Sequence, residues 1–342
     1  MIRLFANANY DFISFRRYAY GLTALLIIPG MILLALRGLN YSIEFTGGTL
    51  VQVQTKAVVS TADLRGALDA TGLKGAEIQN FGAPNEFVIR ARLAGIRQAS
   101  DSQEGGTQEV AREVSEALTA KLGAGQFTIR HFEAVGPKVG RELQGKAGLA
   151  ILFSFIVTLI YLAYRFEWRF GLAAVLATVH DILTTIAFIR YLNLEVSLVV
   201  VGAVLTMVGY SLNDTIIIFD RVRENLHKFR RQNLYQILNL SINETLPRSI
   251  LTHGTTMATT LALVLLGGEV IRPFALVMTF AIFTGTFSSI YIAAPILMYI
   301  EKRWPGKDER GARVFTGRTS EAPAPVPTGS GPGGGGRARA AV

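Results

Sequence analysis

The chain has 342 residues, half of them hydrophobic, no cysteine and a formal net charge of +9. Without cysteine there is no disulfide, no thiolate nucleophile and no thiolate metal site. The positive balance does not argue for nucleic acid, because the bases sit in short loops and tails between apolar runs, the positive-inside pattern of a membrane protein.

After an N-tail, 1–17, that ends in Arg16 and Arg17, the first apolar run covers 18–36. It is too long for the apolar part of a typical leader, and no small-x-small cleavage site follows, so it reads as an uncleaved signal anchor. Five further runs, 147–164, 170–189, 196–219, 248–266 and 274–300, also reach the roughly 18 residues a bilayer requires. Arg165, Arg169, a basic segment at 220–247 and the bases from Lys302 onward fall on one side of these spans. The alternate short loops carry only Arg190 and Arg272. Both termini are therefore expected in the cytoplasm of a multi-pass protein.

The stretch 37–146 lies between the first two spans, on the outer side by this orientation, and its acids and bases nearly balance. Alternation predicts strands at Thr49–Thr55, Ala76–Phe81, Glu86–Ala91 and Gln126–Glu133, and amphipathic spacing predicts helices at Thr61–Ala70 and Gln108–Leu122. That order, βαββαβ, predicts an α+β ferredoxin-like domain on the extracytoplasmic side. The polar stretch Arg92–Gly106 is expected to be a loop. Gly47 and Gly48 in "TGGT" lack the flanks of a phosphate loop and predict a tight turn into the first strand. In the basic segment, "DRVRENLHKFRR" is weakly amphipathic, either a solvated helix near anionic headgroups or a docking surface. The last stretch, 301–342, is a cytoplasmic tail whose Pro/Gly-rich end, from about 316, predicts disorder.

Polar residues inside the spans carry the functional signal. An ionised aspartate in hydrocarbon costs at least about 2.5–3.5 kcal/mol, and burial favours the protonated carboxyl. Asp214 lies in the fourth span, where Gly202, Thr206, Gly209 and Asn213 recur at helical spacing and Tyr210 and Asp214 extend their edge. This predicts a small, polar inner face, with Val201, Val204, Val208 and Phe219 on the far side together with Ser211 and Thr215. Asp214 on that face reads as an ion relay, as a structural acid bonded to neighbouring helices, or as an acid snorkelling to the interface. Pro247 is expected to begin the fifth span. There Arg248, Thr252 and Thr256 share a face, flanked by Thr255 and Thr259. Arg248 is either a positive-inside anchor or a counter-charge for Asp214, and span threonines commonly bond their own helix. His180 and Asp181, in the third span, form either a second relay pair or a local pairing. One such pair falls short of a metal site. No nucleophile triad, nucleotide loop or metal cluster is visible, so the chain is not expected to be an enzyme or to hold a cofactor. Any energy input is expected to be an ion gradient.

Several segments resemble the SecF branch of the SecD/SecF family of bacterial protein export, within the resistance-nodulation-division superfamily. They are "IEFTGGT" (43–49), "VGPKVGREL" (135–143), "RFEWRFGLAA" (165–174), "GYSLNDTIIIFDRVREN" (209–225), "LPRSILT" (246–252), "GGEVIRPFA" (267–275) and "GTFSSIYIAAP" (285–295), together with "HD" (180–181). "SIEF" departs from the pattern, in which a Gly and an Asp usually precede the Phe. The resemblance implies that this six-helix bundle is half of a twelve-helix unit completed by SecD in the bacterial inner membrane. It implies association with the SecYEG channel, and proton-driven pulling on a translocating preprotein. It also implies a proton relay at Asp214, Arg248 and Thr252, with Asn213, His180 and Asp181 as further relay or packing positions. Other expected partners are protons and membrane lipids, with no nucleic acid. The competing expectations are a half-subunit of a proton-driven lipid or small-molecule exporter, and a passive translocon scaffold.

Overall fold

A computed structural model describes residues 8–70, 73, 76–91, 103–229 and 231–305. The expected disordered tail from about 316, and residues 92–102 of the expected loop, lie outside them. A single 3-10 turn, Ile13–Phe15, leads into α1 (Arg16–Arg37). A short bridge strand, β1 (Asn40–Tyr41), and one helical turn, α2 (Ile43–Thr46), then carry the chain into a soluble unit. This unit comprises β2 (Gly48–Thr55), α3 (Thr61–Ala70), β3 (Glu77–Phe81), β4 (Ala83–Ala91), α4 (Gln103–Leu122) and β5 (Phe127–Val135). Its four strands are antiparallel in the order β3-β4-β2-β5.

Period-two alternation explains how this sheet acquires one packed face. Val51 and Val53 of β2, with Phe87 and Ile89 of β4, bury against Leu64 and Leu68 of α3 and Val114 and Leu118 of α4. Helix α4 begins at Gln103, so the last residues of the expected Arg92–Gly106 loop are helical instead.

The rest of the chain is a helical bundle: α5 (Pro137–Arg165), α6 (Trp168–Tyr191), a bridge strand β6 (Glu195–Val196), α7 (Leu198–Lys228), α8 (Leu234–Leu266) and α9 (Gly268–Ser288). One π turn, Ser289–Ala293, joins α9 to α10 (Ala294–Arg303). Among the described residues, six stretches are long and apolar enough to cross a membrane: Ile13–Arg37, Lys138–Arg165, Trp168–Tyr191, Leu198–Lys228, Leu234–Leu266 and Val270–Arg303. Helices α6 and α7 and the last span form the buried centre, where Phe166, Phe170, Leu212, Phe219 and Leu297 pack together. Helix α1 crosses α6 closely because Gly30 has no side chain; a Cβ there would overlap that of Ala187.

Two expectations are corrected at the end of the bundle away from the soluble unit. The expected basic segment 220–247 is not a separate element but the continuation of α7 and α8 as a helical hairpin. Polar ties add to apolar packing by Val222, Ile237, Leu238 and Ile242 there. Arg221 pairs with Glu224 and Glu244 at 2.6 Å each, and Asn225 donates to Ser241 at 3.0 Å and Glu244 at 2.7 Å. Helix α8 starts not at Pro247 but at Leu234, where Asn233 and Gln236 form a capping box, leaving Pro247 inside the helix. Asp220 pairs with Arg165 at 2.5 Å. The N-terminal segment is clamped to the same hairpin: Tyr235 Oη and Asn239 Nδ2 donate to Asp11, and Tyr10 and Asn243 exchange two hydrogen bonds.

The soluble unit is joined to the bundle through the glycine pair. Gly47 has φ 72° and Gly48 φ 139°, a region that a side chain disfavours. A Cβ on Gly140 of α5 would lie 2.9 Å from both Gly47 N and Phe45 O, so α5 meets this turn backbone to backbone. The turn is also tied to α7. Strand β1 pairs in parallel with β6, Ser42 N donates to Val196 O at 3.0 Å, and Leu198 N donates to the Glu44 carboxylate at 2.5 Å.

Candidate functional site

Two aspartates are buried within the spans, and their surroundings differ. Asp181 on α6 is 1% exposed. Its Oδ2 accepts from Ser211 Oγ on α7 and from Ser288 Oγ on α9, the latter at 2.7 Å. Its Oδ1 lies 2.9 Å from Nδ1 of His180. Three helices therefore converge on one carboxylate. Gly285 makes this convergence close, because a Cβ there would stand 3.2 Å from Ser211 Cβ. The neighbouring contact between Thr215 Oγ1 and Ser289 Oγ, at 2.8 Å, ties α7 to the π turn.

Asp214 lies one turn beyond Ser211 on α7, about 24 Å from the helix start at 1.5 Å per residue. It is 3% exposed. Its Oδ1 accepts from Ser249 Oγ on α8 at 2.6 Å, while its buried Oδ2 has no hydrogen-bond partner among the described residues. His253, one turn beyond Ser249, is also buried; its Nδ1 lies 2.8 Å from Thr286 Oγ1, and its ring is 5.3 Å from that of Tyr210. One incompletely satisfied carboxyl thus faces α8, and one fully engaged carboxyl faces α9.

The structure places the other expected residues as follows. Arg248 is exposed and, among the described residues, makes neither an ion pair nor a hydrogen bond with Asp214; its neighbour Ser249 holds the acid instead. Thr252 is exposed, as are Thr255 and Thr259, whose hydroxyls bond carbonyls of their own helix at 3.0 Å. Asn213 is exposed beside Thr206 and Gly209. The polar face of α7 was expected to point inward, and within this chain only its edge at Asp214 does. The side carrying Ser211, Thr215 and Phe219 packs into the bundle, and the glycine and threonine side is uncovered. His180 and Asp181 do pair locally. Gly47 and Gly48 form the turn into β2.

Sequence reasoning missed Ser249, His253, Ser211 and Ser288. Serines in a span carry no charge signal, and only their spacing from the aspartates on other helices, which a sequence does not show, marks them out. No group of three or more His, Asp or Glu side chains suited to a metal ion forms among the described residues.

Comparison with known proteins agrees with this architecture. The family model "Protein export membrane protein SecD/SecF, C-terminal" matches residues 114–303, and the "SecD/SecF GG Motif" model matches residues 32–57, which contain the Gly47–Gly48 turn. A curated relative, protein translocase subunit SecF of Gemmatimonas aurantiaca, is 57% identical over 90% of this chain and 92% of its own length. The SecF subunit of Desulfurispirillum indicum is 39% identical over 86% and 92%, respectively. Among solved structures, SecDF, a translocon-associated membrane protein from Thermus, aligns with a TM-score of 0.76 and 35% identity over 87% of this chain. A super-membrane-facing form of SecDF aligns with a TM-score of 0.62. The chain spans 39% of the length of each of those solved chains. With a family model covering more than half of its residues and near full-length relatives above 30% identity, the chain belongs to the SecD/SecF family of protein-export membrane proteins.

Proposed function

We propose that this chain is the SecF-type half of a SecD–SecF complex in a bacterial inner membrane. In this reading it uses the proton-motive force to assist late translocation of preproteins through the SecYEG channel. The observation that carries this reading is Asp214: a buried carboxyl, one oxygen held by Ser249 and the other unpartnered among the described residues, behind an uncovered polar face of α7 and α8. An ionisable group at such depth is a functional-site candidate by default. An uncovered stripe of Gly, Thr and Asn within a span suits close packing by another helix, and SecD is the partner that the relatives point to. Both termini are read as cytoplasmic. The soluble unit is read as a ferredoxin-like domain on the outer side, its antiparallel β3-β4-β2-β5 order being the supporting feature.

The mechanism follows from the connections. A proton arriving at Asp214 neutralises it and changes what α7 and α8 prefer as neighbours, with Arg248 and Thr252 on the uncovered face as the relay's next groups. Moving one charge through about 100 mV supplies roughly 2.3 kcal/mol, enough to bias a conformational equilibrium by that amount. Helix α7 starts at Leu198, whose N–H is held by Glu44, and Glu44 sits one short turn before the Gly47–Gly48 turn into β2. A shift of α7 therefore reaches the soluble unit through a hinge of two residues.

The test is Asp214→Asn in cells that depend on this chain for export of a reporter protein. Export should lose its dependence on the proton gradient, while the chain still co-purifies with the SecD-type partner. Full gradient-dependent export in the variant would leave the passive scaffold as the better reading.

A further inference from the structure

A cavity of about 610 Å³ lies where the soluble unit meets the bundle, and four arginines line it: Arg37 at the end of α1, Arg65 on α3, Arg90 on β4 and Arg190 at the end of α6. Asn40 and Asn193 line it as well. Arg90 is occupied by an ion pair with Glu195. Arg37, Arg65 and Arg190 form no ion pair among the described residues, and Arg190 reaches only a neutral amide, donating to Asn193 Oδ1 at 2.6 Å. Its Nε is buried and without a hydrogen-bond partner. The nearby carboxylate of Glu44 is committed to Leu198 N. Three guanidinium groups thus share one concavity, and among the described residues Glu195 is taken by the fourth arginine.

Position narrows the ligand. Arg37 and Arg190 terminate two spans, so the cavity stands at the level where a bilayer presents its headgroups. Below Arg37, Ile28, Ile32 and Leu36 recur at four-residue spacing, and each is more than half exposed. That row is an apolar track running from the arginines toward the middle of the membrane. Arginine is the side chain best suited to a phosphate, because its planar fork donates two hydrogen bonds at once. Within the positive-inside pattern, arginines on the domain-bearing side go against the trend and call for a local reason.

We propose that this cavity binds the headgroup of an anionic phospholipid of the domain-bearing leaflet, with its phosphate held by Arg37, Arg190 and Arg65 and its acyl chain lying along Ile28, Ile32 and Leu36. A lipid seated there would wedge between the soluble unit and the span ends, beside the Gly47 turn that also lines the cavity. The site is separate from Asp214.

The experiment uses the full chain purified from mixed vesicles of phosphatidylglycerol and phosphatidylcholine, with retained lipid counted by native mass spectrometry after progressive delipidation. The wild type should retain phosphatidylglycerol in preference to phosphatidylcholine. The Arg37→Gln/Arg190→Gln double variant should lose that preference by roughly thirtyfold, as removal of two basic residues near anionic headgroups implies. Arg231→Gln, on the opposite side, should leave it unchanged. Should the double variant fail to fold, Arg65→Gln decides, because this exposed side chain has no ion pair or hydrogen bond to lose among the described residues; its preference should fall about fivefold. Unchanged retention in the folded double variant or in Arg65→Gln overturns the proposal. So does displacement of the lipid by millimolar inorganic phosphate, which would mark a free-anion site, or by an acidic peptide at lower concentration than lipid, which would mark a polypeptide site.

Discussion

Asp181 and Asp214 are two acids at similar depth in one bundle, and they are treated in opposite ways. Asp181 accepts from the hydroxyls of Ser211 and Ser288 and contacts His180, on helices that already touch. Asp214 accepts from one hydroxyl, Ser249, and backs onto helix faces that this chain leaves uncovered. A buried polar group satisfied on every side is a fastening, because moving any helix breaks its bonds. A buried acid with one bond and one open oxygen can change its protonation and its neighbours at lower cost. In the proposed reading the first aspartate belongs to architecture and the second to function, although both have the same chemistry and both occur in apolar runs.

The largest expected effect separates these roles. Asp214→Asn should reduce gradient-dependent export to the level found without the chain, with thermal unfolding in detergent little changed. Asp181→Ala should do the reverse. Losing a carboxylate that three groups share should cost about 2–3 kcal/mol at membrane hydrogen-bond strengths, read as a lower unfolding midpoint, with export per folded molecule retained. Equal and complete loss of export in a well-folded Asp181→Asn variant would erase the distinction and make both acids relay groups. Gly285→Ala sharpens the comparison from the packing side. Its new Cβ meets Ser211 Cβ at 3.2 Å, so α7 and α9 must part slightly around Asp181, at about 1–2 kcal/mol of stability. Ser249→Ala should give the smallest change, about 0.6–1.7 kcal/mol of stability, together with a partial loss of export. An export rate in Ser249→Ala equal to wild type would show that Asp214 does not need the hydroxyl.

What the sequence revealed follows from the physics of each region. The six spans were legible because hydrocarbon imposes about 20 apolar residues on any helix that crosses it. The order of strands and helices in the soluble unit was legible because Val51, Val53, Phe87 and Ile89 alternate and Leu64 and Leu68 recur at helical spacing. The ends of α7 and α8 were legible only in part: "DRVRENLHKFRR" reads as a weakly amphipathic helix, but the ties of Arg221 and Asn225 to Glu244 and Ser241 on the other helix leave no signal in sequence. The start of α8 had a legible signal, Asn233 followed three residues later by Gln236, but Pro247 suits a helix start equally well and competes with it.

At the site, helical spacing correctly grouped Thr206, Gly209 and Asn213, yet it could not say whether that group faces this bundle or a neighbour. Packing decided this: Ser211 and Thr215 reach Asp181 and Ser289, so the opposite side of α7 turns inward. The same limit explains Arg248. Charge complementarity paired it with Asp214, but the helix phase presents Ser249 to the acid and leaves Arg248 exposed.

The central claim, that Asp214 carries protons, is tested most directly by proton flux. The chain and its SecD-type partner are reconstituted in vesicles with an imposed potential, and internal pH is followed with a trapped dye, comparing wild type with Asp214→Asn and Asp181→Asn. The account predicts flux in the wild type and in Asp181→Asn, and background leak in Asp214→Asn. Wild-type flux in the Asp214→Asn vesicles would contradict it.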